Sequence, residues 1–363
     1  MRIAQLANLV GPTSGGLRRA VDKLGHGYVQ AGHHRLLVVP GPADSVAESE
    51  SGTIVTIKSP DLVAGYRMVA NVEKVRQALA RFEPTSVEVS DKWTMTAAGL
   101  WAQNHQVPAV LLSHERLDDM ASMFFELEIS GAIHALNRWL AKRYDKVVVT
   151  TRYSAGEWIQ TQANLSVKAL GVDLEEFTPA ETSHEVSSTL RLVYAGRLSR
   201  EKSPHLAVAT AVELDRRGVD VQLNVYGTGP HVDELRALAG GAPVFFHGYV
   251  DSRAGLAEAY RAADIALSVC PAETFGLAVL EALACGTPVV TSDRGGAREL
   301  VDTSCAEWGS PDPVFLADAV LRMADRVRRD QAGLGEAARA QAEKFPWEAA
   351  VAGMLSIHEE LSR

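Results

Sequence analysis

Residues 264–299 constrain the fold of this chain more than any other stretch. The apolar run Ile265 to Val269 is short and stops before Pro271, as a buried parallel strand does, and Leu277 to Ala284 then takes up helical spacing. With the following Val289-Val290 run and the glycine pair Gly295-Gly296, this reads as strand, turn, helix, strand and glycine nest, half of a doubly wound α/β domain. Between strand and helix sits Glu273-Thr274-Phe275-Gly276. Gly276 lets the backbone turn sharply, so the amides of Phe275, Gly276 and Leu277 can point outward at the positive end of the new helix, where an anion is favoured. Glu281 follows Glu273 by eight positions, about two helical turns, and so lies roughly on the face of that turn. Its neighbours Leu280, Ala282, Leu283, Ala284 and Cys285 are small or apolar, and a carboxylate in such company needs a partner.

A chain of 363 residues with 47% hydrophobic content is long enough for two cores, so two domains are expected. The formal net charge of −9 excludes the broad basic footprint of a nucleic-acid binder. Cys270, Cys285 and Cys305 have neither paired spacing nor metal-ligand company, and read as buried reduced thiols of a cytoplasmic protein. Met1 to Leu6 runs straight into a strand with no signal-peptide layout, and no apolar span of about 18 residues is present, so no membrane crossing is expected.

The first half opens on strand Ile3 to Asn8, a loop containing Gly11, Gly15 and Gly16, and a helical run through Ala20, Val21, Leu24 and Tyr28. This is a Rossmann-like unit without the GxGxxG fingerprint; the Gly15-Gly16 pair allows a ligand close to the backbone. Arg35 to Pro40 reads as the next strand, Asp44 to Gly52 as a loop and Ile54 to Ile57 as a short strand. The strand Ala109 to Ser113 delivers His114 to its C-terminal edge, where open parallel sheets bind ligands. Leu117 to Tyr144 reads as a long helical stretch. Its apolar residues, among them Met120, Met123, Phe124, Phe125, Leu127 and Ile129, suit core packing; with Arg138, Lys142 and Arg143 exposed beside them they would suit a membrane surface. Lys146 to Thr150 is a strand, Ala155 to Gln162 a helix and Ser166 to Leu170 a strand ending in Gly171-Val172-Asp173. Residues 174–189 have a linker's composition.

The second half restarts at Leu190, and its first strand delivers Gly196 and Arg197 to the edge. Lys202 stands just before Ser203-Pro204, which read as cap and first turn of a helix. Two cations at a helix N-terminus oppose its dipole unless an anion joins them, and a diphosphate explains the pair best.

The run Pro271 to Val290, with seven residues between Glu273 and Glu281, closely resembles the signature of the retaining, nucleotide-sugar-dependent glycosyltransferases of family four. The resemblance implies an α/β chain of GT-B architecture, two Rossmann-like domains with parallel sheets facing across a cleft. It implies an acceptor domain over residues 1–173, a nucleotide-sugar domain over residues 174–346, and a C-terminal helix, residues 347–363, crossing back to the first. Gly15 and Gly16 match the glycine pair near diphosphate and acceptor, Arg197 and Lys202 the diphosphate cations, and Glu273 the carboxylate for sugar hydroxyls. Glu281 matches the ribose carboxylate, His114 the histidine that contacts the transferred sugar, and the loop at Tyr249 and Val250 lies along the base. No cofactor or metal is implied, only a nucleotide-diphosphate sugar as donor substrate, and the leaving phosphate takes the acceptor's proton. The stretches Gly11 to Val21 and Ser113 to Asp118 look more particularly like the α-mannosyltransferases that use GDP-mannose to decorate phosphatidylinositol mannosides. The implied partners are then that donor and a sugar or lipid-linked acceptor, without nucleic acid, with peripheral contact at the inner membrane face an open expectation and the oligomeric state unassigned. A UDP-sugar enzyme of the same fold, a sugar phosphorylase, a nucleotide-sugar epimerase and a non-catalytic sugar-binding protein remain as alternatives.

Overall fold

The computed structural model describes residues 1–8, 15–63, 66–119, 130–180 and 188–363. The loop residues Val10 to Ser14 and the apolar positions Met120, Met123, Phe124, Phe125, Leu127 and Ile129 lie outside the described residues.

The chain divides into two compact units, one of Met1–Ala121, Leu127–Leu170 and Trp347–Arg363, the other chiefly Gly171–Pro346. The strands of the first are β1 (Arg2–Leu6), β2 (His34–Gly41), β3 (Ser45–Ser49), β4 (Gly52–Lys58), β5 (Asp61–Val63), β6 (Tyr66–Arg67), β7 (Ser86–Val89), β8 (Ala109–Ser113), β9 (Lys146–Val149) and β10 (Leu165–Val167). Eight of them form one sheet in the order β10-β9-β8-β7-β1-β2-β4-β3, and β5 pairs with β6 in a separate ribbon. The second unit has one sheet in the order β13-β12-β11-β14-β15-β16, built from β11 (Leu190–Ala195), β12 (Val221–Tyr226), β13 (Val244–Gly248), β14 (Ile265–Ser268), β15 (Val289–Ser292) and β16 (Ala306–Gly309).

Both sheets are parallel except for β3, which runs antiparallel to β4. Strands such as β8 and β15 are buried along their whole length, which is why their sequences are unbroken apolar or small runs. Helices cover the sheets in the expected way. Pro313–Arg329, for instance, is capped by Asp312, whose carboxylate accepts from the Val314 amide at 2.9 Å, and buries Leu316, Ala317, Val320, Met323, Ala324 and Val327 at helical spacing.

The local expectations need two corrections. Ser45–Ser49 is a strand, not a loop; every residue is exposed, so no alternation of burial marks it and backbone pairing to β4 alone makes it. The helix expected over Ala155 to Gln162 is a single turn, Arg152–Ala155, followed by a 3-10 turn, Gly156–Trp158. Thr151 caps it early, accepting from the Ser154 amide at 3.1 Å, while the buried Glu157 accepts from Lys92 and from the Leu117 amide at 2.9 Å. Of the long helical stretch read over Leu117 to Tyr144, the described residues 117–119 and Ser130–Ala141 are helical.

The C-terminal helix Trp347–Leu361 packs on helix Gly16–Gln30 of the first unit. Its His358, fully buried, places Nδ1 2.8 Å from Ser86 Oγ and Nε2 3.1 Å from Glu88 Oε2. Tyr28 donates to the same Glu88 oxygen at 2.7 Å and Gln5 to the other at 2.8 Å, while Arg35 donates to Gln5 at 2.6 Å. Burial works against the Glu88 charge, but the bonds from His358, Gln5 and Tyr28 outweigh it and hold the carboxyl below its usual range. His358→Ala removes one partner of a buried carboxylate and is expected to lower stability by about 2–4 kcal/mol. A fall in the urea midpoint measures it; an unchanged midpoint would mean the network contributes nothing.

Candidate functional site

In the second sheet the chain runs from β11 outward to β12 and β13, then returns to β14 on the other side of β11. The order therefore reverses between β11 and β14, and in parallel sheets the loops leaving such a switch point frame a crevice. β11 ends at Ala195 and releases Gly196 and Arg197, and β14 ends at Ser268 and releases Cys270 and Glu273.

A 3-10 turn, Arg200–Lys202, carries Lys202 to this edge, and its Nζ donates to Glu273 Oε2 at 2.8 Å. Ser203 does not cap the next helix with its side chain as its sequence suggests. Its backbone is left-handed, φ 47°, and supplies the bend, while its hydroxyl donates to Arg200 O at 3.4 Å. Arg197 Nη1 lies 3.3 Å from Glu201 Oε1, which also accepts from Ser199 Oγ at 2.5 Å. Each cation of the expected diphosphate pair thus faces a carboxylate of its own unit.

Gly276 has φ 107°, which an L side chain rarely adopts, and it opens the helix Leu277–Ala284. Gly295, with φ 89°, approaches so closely that an added Cβ would lie 2.8 Å from Pro271 O, and the Gly296 amide donates to Glu273 O at 2.6 Å. These two glycines fix the loop that carries Glu273. Burial opposes the charge of Glu273, but Lys202 and the amides of Phe275 and Thr274 prevail and hold its carboxyl below the ordinary range. The Phe275 amide thus favours the ionised Glu273, and the first-turn amides beyond it are those a helix leaves without intrahelical partners. Phe275 itself is buried. Lys202 shows the reciprocal effect, its ammonium held up by Glu273 against the cost of burial. The pair keeps both charges from the carboxylate range up to alkaline pH.

Glu281 is buried near the end of the same helix, with Arg253 Nη2 3.9 Å from its Oε1. The loop with the exposed Tyr249 and the half-buried Val250 leads into the helix Arg253–Arg261, capped by Ser252, which accepts from the Gly255 amide at 3.0 Å. Arg253 escaped the sequence reading because its partners lie far along the chain and no spacing pattern links them. The Ser252 cap was the available signal that a side chain is fixed there.

In the first unit, Gly15 precedes helix Gly16–Gln30, and an added Cβ there would meet nothing within 4 Å among the described residues. His114 leaves the C-terminal end of β8 with Nε2 3.5 Å from Glu115 Oε1. The neighbouring strand β7 releases Asp91, which sequence reasoning also passed over. Asp91 is buried; Oδ1 accepts from the Trp93 amide at 2.6 Å and Oδ2 has no hydrogen-bond partner among the described residues. Among the described residues no group of three or more histidine, cysteine or carboxylate side chains comes together as metal ligands do, and no helix is long and apolar enough to cross a membrane.

The chain has relatives among known proteins. Residues 15–163 match a glycosyl transferase 4-like domain and residues 189–326 the family of glycosyl transferases group 1. A GDP-mannose-dependent alpha-(1-6)-phosphatidylinositol dimannoside mannosyltransferase of Mycobacterium tuberculosis is 36% identical over 98% of this chain and 95% of its own length. A D-inositol 3-phosphate glycosyltransferase of Xylanimonas cellulosilytica is 33% identical over 60% of this chain and 58% of its own. Among solved structures, sucrose-phosphate synthase from Thermosynechococcus elongatus superposes with TM-score 0.78 at 22% identity, covering 99% of this chain and 98% of that one. Anabaena HepE in complex with UDP-glucose gives TM-score 0.78 at 19% identity, covering 98% and 99%. At such identities the structures establish the fold alone.

Burial, above all, pushes the Asp91 carboxyl from its ordinary 3.8 up to about 6, against the Trp93 amide and Asn8, which favour the charge. The folded chain holds a proton there that the unfolded chain has released, so the stability this group contributes falls as pH rises from about 4 to about 6. Asp91→Asn keeps the shape without the charge. It is expected to flatten that decline and to raise stability at neutral pH by up to about 3 kcal/mol. Urea midpoints for both proteins across this pH window measure the effect, and parallel pH profiles would contradict it.

Proposed function

Because the chain belongs to the family-four glycosyltransferases of GT-B fold, and so is a glycosyltransferase, we propose that it transfers mannose from GDP-mannose to a lipid-linked or other glycan acceptor with retention at the anomeric carbon. The observation that carries the chemistry is the meeting of Lys202 and Glu273 at 2.8 Å on the switch-point edge, with Arg197 on the adjoining loop. The full-length relative at 36% identity supports the donor.

In this reading the diphosphate displaces carboxylates as the partners of Arg197 and Lys202. The anomeric carbon–oxygen bond to the β-phosphate breaks, the acceptor oxygen bonds the same carbon, and the acceptor's proton passes to the leaving phosphate. Negative charge grows on that phosphate, and fixed cations with the amides at Phe275, Gly276 and Leu277 stabilise it more in the transition state than in the ground state. Arg197 and Lys202 supply the positive charge, so the reading assigns no step to a metal ion. Glu273 takes sugar hydroxyls and Glu281 the ribose, with Val250 beside the base. Gly15, Gly16 and His114 of the first unit serve the diphosphate, acceptor and transferred sugar in the roles their resemblance implies. A peripheral membrane contact is part of the proposal for a lipid-linked acceptor. It is supported by the exposed Trp139 near the end of helix Ser130–Ala141, with the Arg143 guanidinium 3.6 Å over its ring.

Lys202→Ala and Glu273→Ala are each expected to cut kcat/KM for mannosyl transfer by about a hundredfold or more. Turnover near wild type in both variants would overturn the site. For the donor, GDP and GDP-mannose are expected to raise the thermal midpoint of the wild-type chain, as a ligand of the folded form does. A rise with UDP alone would remove mannose from the proposal.

A further inference from the structure

The guanidinium of Arg253 lies among three groups brought together from distant parts of the second unit. Its Nε donates to Glu176, its Nη2 is 3.9 Å from Glu281 Oε1, and its Cζ lies 4.5 Å from the centroid of the Phe177 ring. The platform is rigid: Phe177 is fully buried, packs edge-on against Tyr260 at 6.3 Å between centroids, and its carbonyl accepts from Arg339 at 2.8 Å. Nη1 is buried without a hydrogen-bond partner among the described residues. An arginine kept only for packing would avoid an unsatisfied buried donor.

Glu281 sits on a helix whose residues Val279 to Ala284 are all buried. A buried carboxylate needs a compensating partner, a facing cation is one, and a carboxylate so held can accept from two hydroxyls at once. We infer that Arg253 is the positioning residue for ribose recognition: held by Glu176 and the Phe177 ring, it keeps Glu281 charged and turned toward the two hydroxyls of a nucleoside diphosphate's ribose. The inference rests on the reading of Glu281 as the ribose carboxylate. It adds a determinant that no local pattern around Glu281 contains.

The test compares full-length wild type, Arg253→Gln, Arg253→Lys and Glu281→Gln by calorimetric titration with GDP, UDP and their 2′,3′-dideoxy counterparts. Wild type is expected to bind its preferred nucleotide about tenfold or more tightly than the dideoxy form, the size of hydrogen bonds to a charged acceptor. Arg253→Gln is expected to lose that preference as Glu281→Gln does, with unchanged affinity for the dideoxy form, and Arg253→Lys to recover part of it. A merely structural arginine would weaken both nucleotides alike. Undiminished ribose preference in Arg253→Gln overturns the inference and leaves the proposed function standing. A wild type indifferent to the ribose hydroxyls overturns the role of Glu281 and the inference with it, and a wild type that binds neither nucleotide overturns the proposed function itself.

Discussion

Parallel pairing around β11 is the constraint from which the rest of the second unit follows. A strand that runs the same way as its neighbours must be joined to them by a crossover, so every C-terminal end in that sheet emerges at one edge. The loops after β11 and β14 meet there because the order reverses between those two strands. Lys202 and Glu273, 71 positions apart, are brought within 2.8 Å by this topology and not by anything local to either.

The charges of the two units are arranged on different terms. Glu88, His358, Tyr28, Gln5 and Arg35 are buried and bonded to one another, and a polar network of that kind specifies one packing and resists exchange. At the second unit's edge, Lys202 and Arg197 keep part of their side chains in water while facing Glu273 and Glu201. A cation that reaches solvent is held less firmly than one inside a buried network, so these two side chains can turn toward a better anion. Rigid glycine turns hold the backbone, and exchangeable pairs face outward.

Elements with strong periodicity were legible directly. The run Ile265 to Val269, the turn at Gly276 and the helix Leu277–Ala284 follow from apolar patterning and one glycine, and the C-terminal helix expected over residues 347–363 spans Trp347–Leu361. Elements held by pairing or capping alone were not. The strand Ser45–Ser49 buries no residue, the turn Arg152–Ala155 depends on the Thr151 hydroxyl, and Ser203 bends the chain through its backbone where its residue type suggests a side-chain cap.

The sequence by itself determined the two α/β halves, the glycine turn and the candidate residues Arg197, Lys202, Glu273 and Glu281, because strand and helix periods and the conformational freedom of glycine are properties of a few adjacent residues. Only the tertiary structure decided what faces those residues: Glu201 before Arg197, Arg253 beside Glu281, His358 on Glu88, and the burial that moves the Asp91 carboxyl toward neutrality. Burial and pairing depend on segments that meet only when sheets and helices pack, and no spacing along the chain encodes which distant side chain will be there.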